Sequence, residues 1–366
     1  MEVSATSGVA FLASALVVCC LHRPAMRTGL VDVPNARKRH CGAVPLTGGL
    51  AIFLGFMLVV LPQAGMRLPL APLLLGMTAM LLLGLYDDLR DVAALRKLVM
   101  QIAIATGLVM GSGVEINVLG DLFGLGRIGL GAFSLPFTVL CMVLVINAIN
   151  MADGLDGLAG GAVAIICLLL ALVGWLDGAP SALVACCLIL AAATGGFLLF
   201  NYRLPVRHRL KAFMGDSGSM MLGLAVAWLA IAIATADSAS VYPVSIGWIL
   251  IIPAADTLSL FVRRLQRGRS PFAPDRTHFH HLLSRLGLSV PATVAVLHGL
   301  MLASGLFGVL AWHYRLPEPL LFVALCLVLV GGYLAPLLAP TLYRWHCRRR
   351  TRRPVSGRAL PPVVSP

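Results

Sequence analysis

The sequence predicts an all-α, polytopic membrane protein of about eleven transmembrane helices, with its N-terminus outside and its C-terminus in the cytoplasm. Three observations predict it. The 366 residues are 59% hydrophobic and only 12% charged, with a mean hydropathy of +0.93, whereas a soluble globular domain carries about 25% charged residues. Apolar runs long enough to cross a bilayer, roughly 17–25 residues, recur along the whole chain. The basic residues, finally, are concentrated in every second segment between those runs. A soluble class is excluded, and no room is left for a separate soluble domain.

In order, the expected spans are 5–22, 47–62, 69–86, 98–116, 132–150, 159–176, 182–200, 217–236, 243–262, 291–312 and 319–342. The first follows Met1-Glu2 without a basic n-region, so it reads as a retained helix and not as a cleaved signal peptide. The second opens on Thr47-Gly48-Gly49, and the third ends in an acidic cluster. The fifth runs into an amide- and glycine-rich string, and the eighth begins just after Asp216.

Of the 28 Lys and Arg residues, 25 fall in the segments 22–46, 87–97, 201–216, 263–290 and 343–366, leaving only Arg67, Arg127 and Arg315 for the other set. The positive-inside rule puts the basic set in the cytoplasm. This also accounts for the net charge of +13, so no nucleic-acid partner is expected. One membrane catalytic domain is expected over 1–342, followed by a basic tail, 343–366, expected to be disordered and drawn to anionic lipid. The nine cysteines form no CxxC and no Cys/His pair at zinc spacing; they read as small core residues.

The polar residues that could do chemistry share the predicted inner side. Leu85-Tyr86-Asp87-Asp88-Leu89-Arg90-Asp91 holds three carboxylates within five residues, in a chain with only 15 acidic residues. On a helix, Asp87 and Asp88 would each share a face with Asp91. Such repulsion points to a visiting cation, most simply a divalent metal on hard oxygen ligands; a solvated helix end is the alternative. Asn147, Asn150, Asp153 and Asp156 recur every three residues and could share a helical face. Gly154 and Gly157 between them allow a ligand close to the backbone. Polar groups at a membrane edge are costly unless functional, and capping explains only one or two of them. Asp216, in Phe213-Met214-Gly215-Asp216-Ser217-Gly218-Ser219, could be a helix N-cap.

The last inner segment runs from Arg263-Arg264 through Arg267, Arg269 and Asp275-Arg276-Thr277 to His278-Phe279-His280-His281. Three histidines in four residues invite a metal. Phosphate is favoured over zinc, because five arginines lie nearby and no cysteine or Glu-x-x-His partner accompanies them. Carboxylates, a divalent cation and Arg or Lys on one membrane face are the equipment for chemistry at a phosphoryl group. The residues alone indicate a membrane enzyme acting on a phosphate- or diphosphate-bearing lipid. A transporter would need polar groups near the midplane and on both faces, and a prenyl-diphosphate synthase would need its acidic motif inside a soluble helical cavity; the chain offers neither.

At these positions the chain resembles the polyprenyl-phosphate N-acetylhexosamine-1-phosphate transferases. The resemblance lies in five ordered motifs: Asp32-Val-Pro-Asn-x-Arg-Lys, Asp87-Asp88-x-x-Asp91, Asn147-x-x-Asn150-x-x-Asp153-Gly-Leu-Asp156-Gly, Phe213-Met-Gly-Asp216-x-Gly-Ser219 and His278-x-His280-His281. The segment Ser-Pro-Phe-x-Pro-Asp-Arg before the histidines is most similar to the bacterial branch that uses undecaprenyl phosphate and UDP-GlcNAc. The resemblance implies transfer of GlcNAc-1-phosphate to undecaprenyl phosphate, with UMP released, as the first membrane step of a lipid-linked glycan such as O-antigen or common antigen. The same transfer from another UDP-N-acetylhexosamine or from UDP-MurNAc-pentapeptide is the alternative. It further implies Mg²⁺ (or Mn²⁺), the bacterial inner membrane, a cytoplasmic active site and compatibility with a homodimer.

By motif position the resemblance makes Asp216 the foremost metal ligand, helped by Asp88, and Asp87 the group that binds or deprotonates the lipid phosphate. Asn150, Asp153, Asp156 and Gly154 would line the nucleotide and diphosphate pocket, with Phe213 on uracil and Asn201 at the base end. His278, His280 and His281, with Arg264, Arg267 and Arg276, would hold the diphosphate or the sugar, and Asp91 would support its neighbours. Direct attack by the lipid phosphate is favoured over an aspartyl-phosphate intermediate.

Overall fold

The computed structural model describes residues 3–33, 42–67, 69–202, 210–237, 239–270 and 278–351. Among them lie thirteen α-helices: α1 (Val3–Thr28), α2 (Gly48–Val60), α3 (Ala64–Arg67), α4 (Ala71–Arg90), α5 (Ala94–Ser112), α6 (Ser134–Ala152), α7 (Leu158–Leu176), α8 (Ser181–Asn201), α9 (Gly215–Ala234), α10 (Pro243–Gln266), α11 (Phe279–Arg285), α12 (Val290–His313) and α13 (Glu318–Thr351). Ten of these are long and apolar enough to cross a membrane, and each coincides with one expected span. The chain is an all-α, multi-pass membrane protein.

The remaining expected span, 47–62, is α2, and it is shorter than expected. Its 13 residues rise about 20 Å, less than the roughly 30 Å of a hydrocarbon core. Pro62 lies just beyond its C-cap, Leu61, and cannot continue the helical hydrogen bonds. α13, in contrast, continues to Thr351, past the expected end at 342.

α9 is the axis of the bundle. Seventeen of its 20 residues are buried, and α2, α4, α6 and α7 pack around it. Its sequence explains why: Gly218, Ser219, Gly223, Ala225, Ala227 and Ala230 let neighbouring helices approach closely. At Gly84 of α4 a Cβ would lie 2.3 Å from Ser217 Cα, so α4 meets α9 backbone to backbone. α1 covers α2 and α8, while α10 packs on α12 and α13. α5 stands at the outside, with Leu95 and Met110 exposed by 69% and 71%, as a lipid-facing surface should be.

A two-residue antiparallel ladder joins β1 (Val31–Asp32) to β2 (Val44–Pro45), which apolar patterning does not announce. Beyond it the chain pairs with the entry to α9. Phe213 N–H donates to the Pro45 carbonyl (2.9 Å), Gly48 N–H to the Phe213 carbonyl (2.9 Å) and Gly49 N–H to the Met214 carbonyl (3.1 Å). The segment before α9 is thereby held against the N-terminus of α2.

Candidate active site

The C-terminal ends of α4, α6, α8 and α10 and the N-terminal ends of α5, α7 and α9 lie together at one end of the bundle, and this end gathers the polar motifs. At its centre is Asp216, in the first turn of α9. One of its oxygens accepts from the Asn150 amide (2.7 Å) and the other from Lys97 Nζ (2.9 Å). Asn150 also donates to Ser219 Oγ (2.9 Å). The same Lys97 ammonium is hydrogen-bonded to Asp87, whose second oxygen accepts the Val92 N–H at 2.7 Å. Four helices thus converge: α4 through Asp87, α5 through Lys97, α6 through Asn150 and α9 through Asp216.

Asp88 has a different task. Its two oxygens accept the backbone N–H groups of Asp216 (2.8 Å) and Ser217 (3.1 Å), which are orphan donors at the start of α9. The cap expected of Asp216 is therefore supplied from another helix, which leaves the Asp216 carboxylate free for the site. Asp91 departs from expectation too. α4 ends at Arg90, and Asp91 is the C-cap, left-handed at φ 51° and exposed. It shares no helical face with Asp87 or Asp88 and lies outside the cluster.

The amide string is likewise split. Asn147 and Asn150 lie on α6, which ends at Ala152; Asp153 is its C-cap, and Asp156 lies in the turn before α7. The shared helical face is thus limited to the two asparagines. Asn147 donates to Gln101 Oε1 (2.8 Å), a part-buried link between α6 and α5. Asp156 pairs with Lys211 (2.9 Å), and Lys211 Nζ lies 4.6 Å from the centroid of the Phe213 ring. Asn201 is buried and committed to backbone: Gly157 N–H donates to its oxygen (2.7 Å), and its amide donates to the Ala212 carbonyl (3.0 Å). It ties the turn before α7 to the segment before α9.

The histidines form a separate wall. His278 and His280 stack with centroids 5.2 Å apart and planes at 14°, and His281 lies 4.2 Å from His280. A Cβ on Gly154 would be 3.1 Å from the His280 ring, so this wall abuts the loop that carries Asp153 and Asp156. Burial, reinforced by the two imidazoles packed beside it, holds the His280 imidazole down at about 3; it is neutral at physiological pH. His278 Nδ1 lies 2.9 Å from Asp256 Oδ2 on α10. Arg264 is buried in the last turn of α10, about two turns beyond Asp256, while Arg267 is its exposed C-cap. Arg276 and Asp275 lie outside the described residues, as do Arg207, Arg209 and 34–41.

Two cations at this end, Lys97 and Lys211, and one acid, Asp256, were not singled out by sequence reasoning. The lysines were absorbed into the topology count. Asp256 had a signal of its own, a carboxylate inside an apolar helix.

The donor set suits a hard divalent cation. Asp87, Asp88 and Asp216 offer only oxygens, Lys97 is shared between two of these carboxylates, and each Asp216 oxygen retains accepting capacity beyond its hydrogen bond to Asn150 or Lys97.

The comparisons decide the lineage. Over 331 residues the chain is 34% identical to the undecaprenyl-phosphate alpha-N-acetylglucosaminyl 1-phosphate transferase of Salmonella typhi, covering 88% of this chain and 87% of the relative. The pattern of glycosyl transferase family 4 matches residues 70–234. The chain belongs to glycosyl transferase family 4. The identically named protein of Escherichia coli (strain K12) is 34% identical over 333 residues, with 88% and 87% covered. That of Yersinia pestis is 33% identical over 282 residues, with 76% of each chain covered. The family match spans α4 to α9, and so takes in every residue of the Asp216 cluster; the histidine wall lies beyond it.

Proposed function

We propose that the protein transfers GlcNAc-1-phosphate from UDP-GlcNAc to undecaprenyl phosphate, forming undecaprenyl-diphospho-GlcNAc and UMP. The observation that carries this reading is the convergence of Asp87, Lys97 and Asn150 on Asp216 at one end of a membrane bundle. The names of the family relatives support the acceptor and the transferred group. Lysine and arginine lie overwhelmingly in the segments at this end, which supports a site facing the cytoplasm, and the bacterial relatives support the inner membrane.

In the reaction, an oxygen of the lipid phosphate attacks the β-phosphorus of the nucleotide sugar. The bond from that phosphorus to the α–β bridging oxygen breaks, and UMP leaves with the electron pair. Asp87, beside Lys97, receives the lipid phosphate and takes up any proton it carries. Mg²⁺ or Mn²⁺, held by Asp216 with Asp88, would neutralise charge on the diphosphate. Asn150 orients Asp216, and Asp88 fixes the start of α9 on which Asp216 rides. Asp153, Asp156 and Phe213 line the nucleotide side, with Lys211 holding Asp156 and lying over the Phe213 ring. The histidine wall and Arg264 close the diphosphate or sugar side; because His280 is neutral, the positive charge there rests with Arg264.

The test is transfer from radiolabelled UDP-GlcNAc to undecaprenyl phosphate by the purified protein, with and without EDTA. Lipid-linked label that disappears with EDTA and returns with Mg²⁺ is the expected result. Label transferred only from a different UDP-sugar would move the assignment to that donor.

A further inference from the structure

We propose that Asp256 is a positioning residue of this site: it holds His278 in a single tautomer and pins the start of α11. The inference rests on the phosphotransfer reading above, in which His278 faces the diphosphate or sugar.

A carboxylate inside a membrane helix is costly without a task, and Asp256 lies ten residues before the end of α10. Both of its oxygens are engaged. Oδ2 is 2.9 Å from His278 Nδ1, and Oδ1 accepts the Phe279 N–H at 2.9 Å. The Phe279 amide opens α11, where the N-cap residue, His278, provides no side-chain acceptor. Asp256 supplies that acceptor from another helix, across 23 residues of chain. One carboxylate thereby fixes both the backbone at His278–Phe279 and the imidazole itself.

A carboxylate oxygen only accepts, so the proton between the two groups belongs to Nδ1 of His278. That leaves Nε2 as the nitrogen available to the site. His278 stacks on His280, and His280 lies against Gly154. Asp256 therefore anchors a row of rings that ends at the loop bearing Asp153 and Asp156. Ligand atoms of Asp256, His278 and His280 also lie within 4.8 Å of one another, close enough to raise a metal. A proton on Nδ1 satisfies the Asp256–His278 pair without an ion, and the other Asp256 oxygen is committed to the Phe279 N–H; this favours positioning.

The test uses the full chain, purified in detergent, and the variants Asp256→Asn, His278→Gln and the double mutant. Asparagine can still accept the Phe279 N–H, but its amide hydrogens face Nδ1 and favour the other tautomer. Expected is a roughly 10- to 100-fold fall in kcat for Asp256→Asn, the scale found when a partner that orients a functional histidine is lost, with the KM for undecaprenyl phosphate unchanged. The double mutant is expected to be no slower than His278→Gln, because Asp256 acts through His278, and Asp256→Glu to retain more activity than Asp256→Asn. Additive losses, or a kcat for Asp256→Asn within about threefold of the parent, would overturn the proposal.

Histidine-specific ¹⁵N spectra, with His278 assigned by difference against His278→Gln, test it without activity. Protonated Nδ1 in the parent protein is expected, and a proton on Nε2 alone would overturn the proposal even if Asp256→Asn does not fold. A stoichiometric Zn²⁺ lost in Asp256→Asn would overturn it as well, by making Asp256 a ligand. Should the parent protein transfer no sugar phosphate, the functional reading fails and the spectra alone decide the role of Asp256.

Discussion

Lys97 Nζ lies 2.9 Å from Asp216 Oδ2, joining the start of α5 to the start of α9 across 119 residues of chain. Through its second contact, to Asp87, the same ammonium stands between two carboxylates that would otherwise repel each other. Lys97→Met removes that charge at little cost in volume. We expect turnover to fall roughly 100-fold, the scale of losing one electrostatic donor at a reacting centre, with the protein still in the membrane. Release of UMP is the measurement, and a loss below about threefold would remove Lys97 from the site.

Asp216→Asn keeps the side chain's size but removes the charge and replaces one acceptor, used by Asn150 or Lys97, with a donor. The expected outcome is no turnover at any Mg²⁺ concentration, with the protein still inserted and its melting temperature lowered. Near-normal transfer would overturn the assignment of Asp216 as the foremost metal ligand.

For Asn201, geometry and motif position suggest different results. As a bridge between Gly157 N–H and the Ala212 carbonyl, Asn201→Ala leaves two buried polar groups without partners, at about 1–3 kcal/mol each. Thermal unfolding in detergent is therefore expected to shift down, with a smaller rise in the KM for UDP-GlcNAc. An unchanged melt with a large rise in KM would instead make Asn201 a direct contact to the base.

His280 predicts a pH dependence. Its folded value of about 3 lies below the roughly 6.5 of an exposed histidine, so at intermediate pH the unfolded chain binds a proton that the folded chain does not. Stability is full above about pH 6.5 and is lost as pH falls from there toward 3, by about 2 kcal/mol at pH 5. Melting curves between pH 7.5 and 5 should show this slope in the parent protein, and a shallower one in His280→Asn. Parallel slopes would contradict it.

The site was legible wherever a short motif brought its own polar residues together. Asp87 and Asp88, Asn150, Asp216 and the histidines are visible because carboxylates, amides and imidazoles are out of place beside apolar runs. Their division of labour was not visible. Asp88 and Asp216 both read as metal ligands, yet only the structure shows that Asp88 also caps the first turn of α9, with one backbone N–H on each oxygen. Asp91 belongs to the same motif as Asp87, but one left-handed residue at the helix end turns it to solvent.

By itself the sequence determined the all-α membrane architecture, one helix for each apolar run, because a bilayer demands long apolar segments whose backbone bonds close internally. It also determined which polar residues exist at the helix ends. Only the tertiary structure decided which of them meet. Lys97 reaches Asp87 and Asp216, and Asp256 reaches His278, because the packing of small residues along α9 and the bundling of α10 with its neighbours set the distances. Hydrogen bonds between residues 22 to 119 positions apart depend on that packing, and no local pattern encodes them.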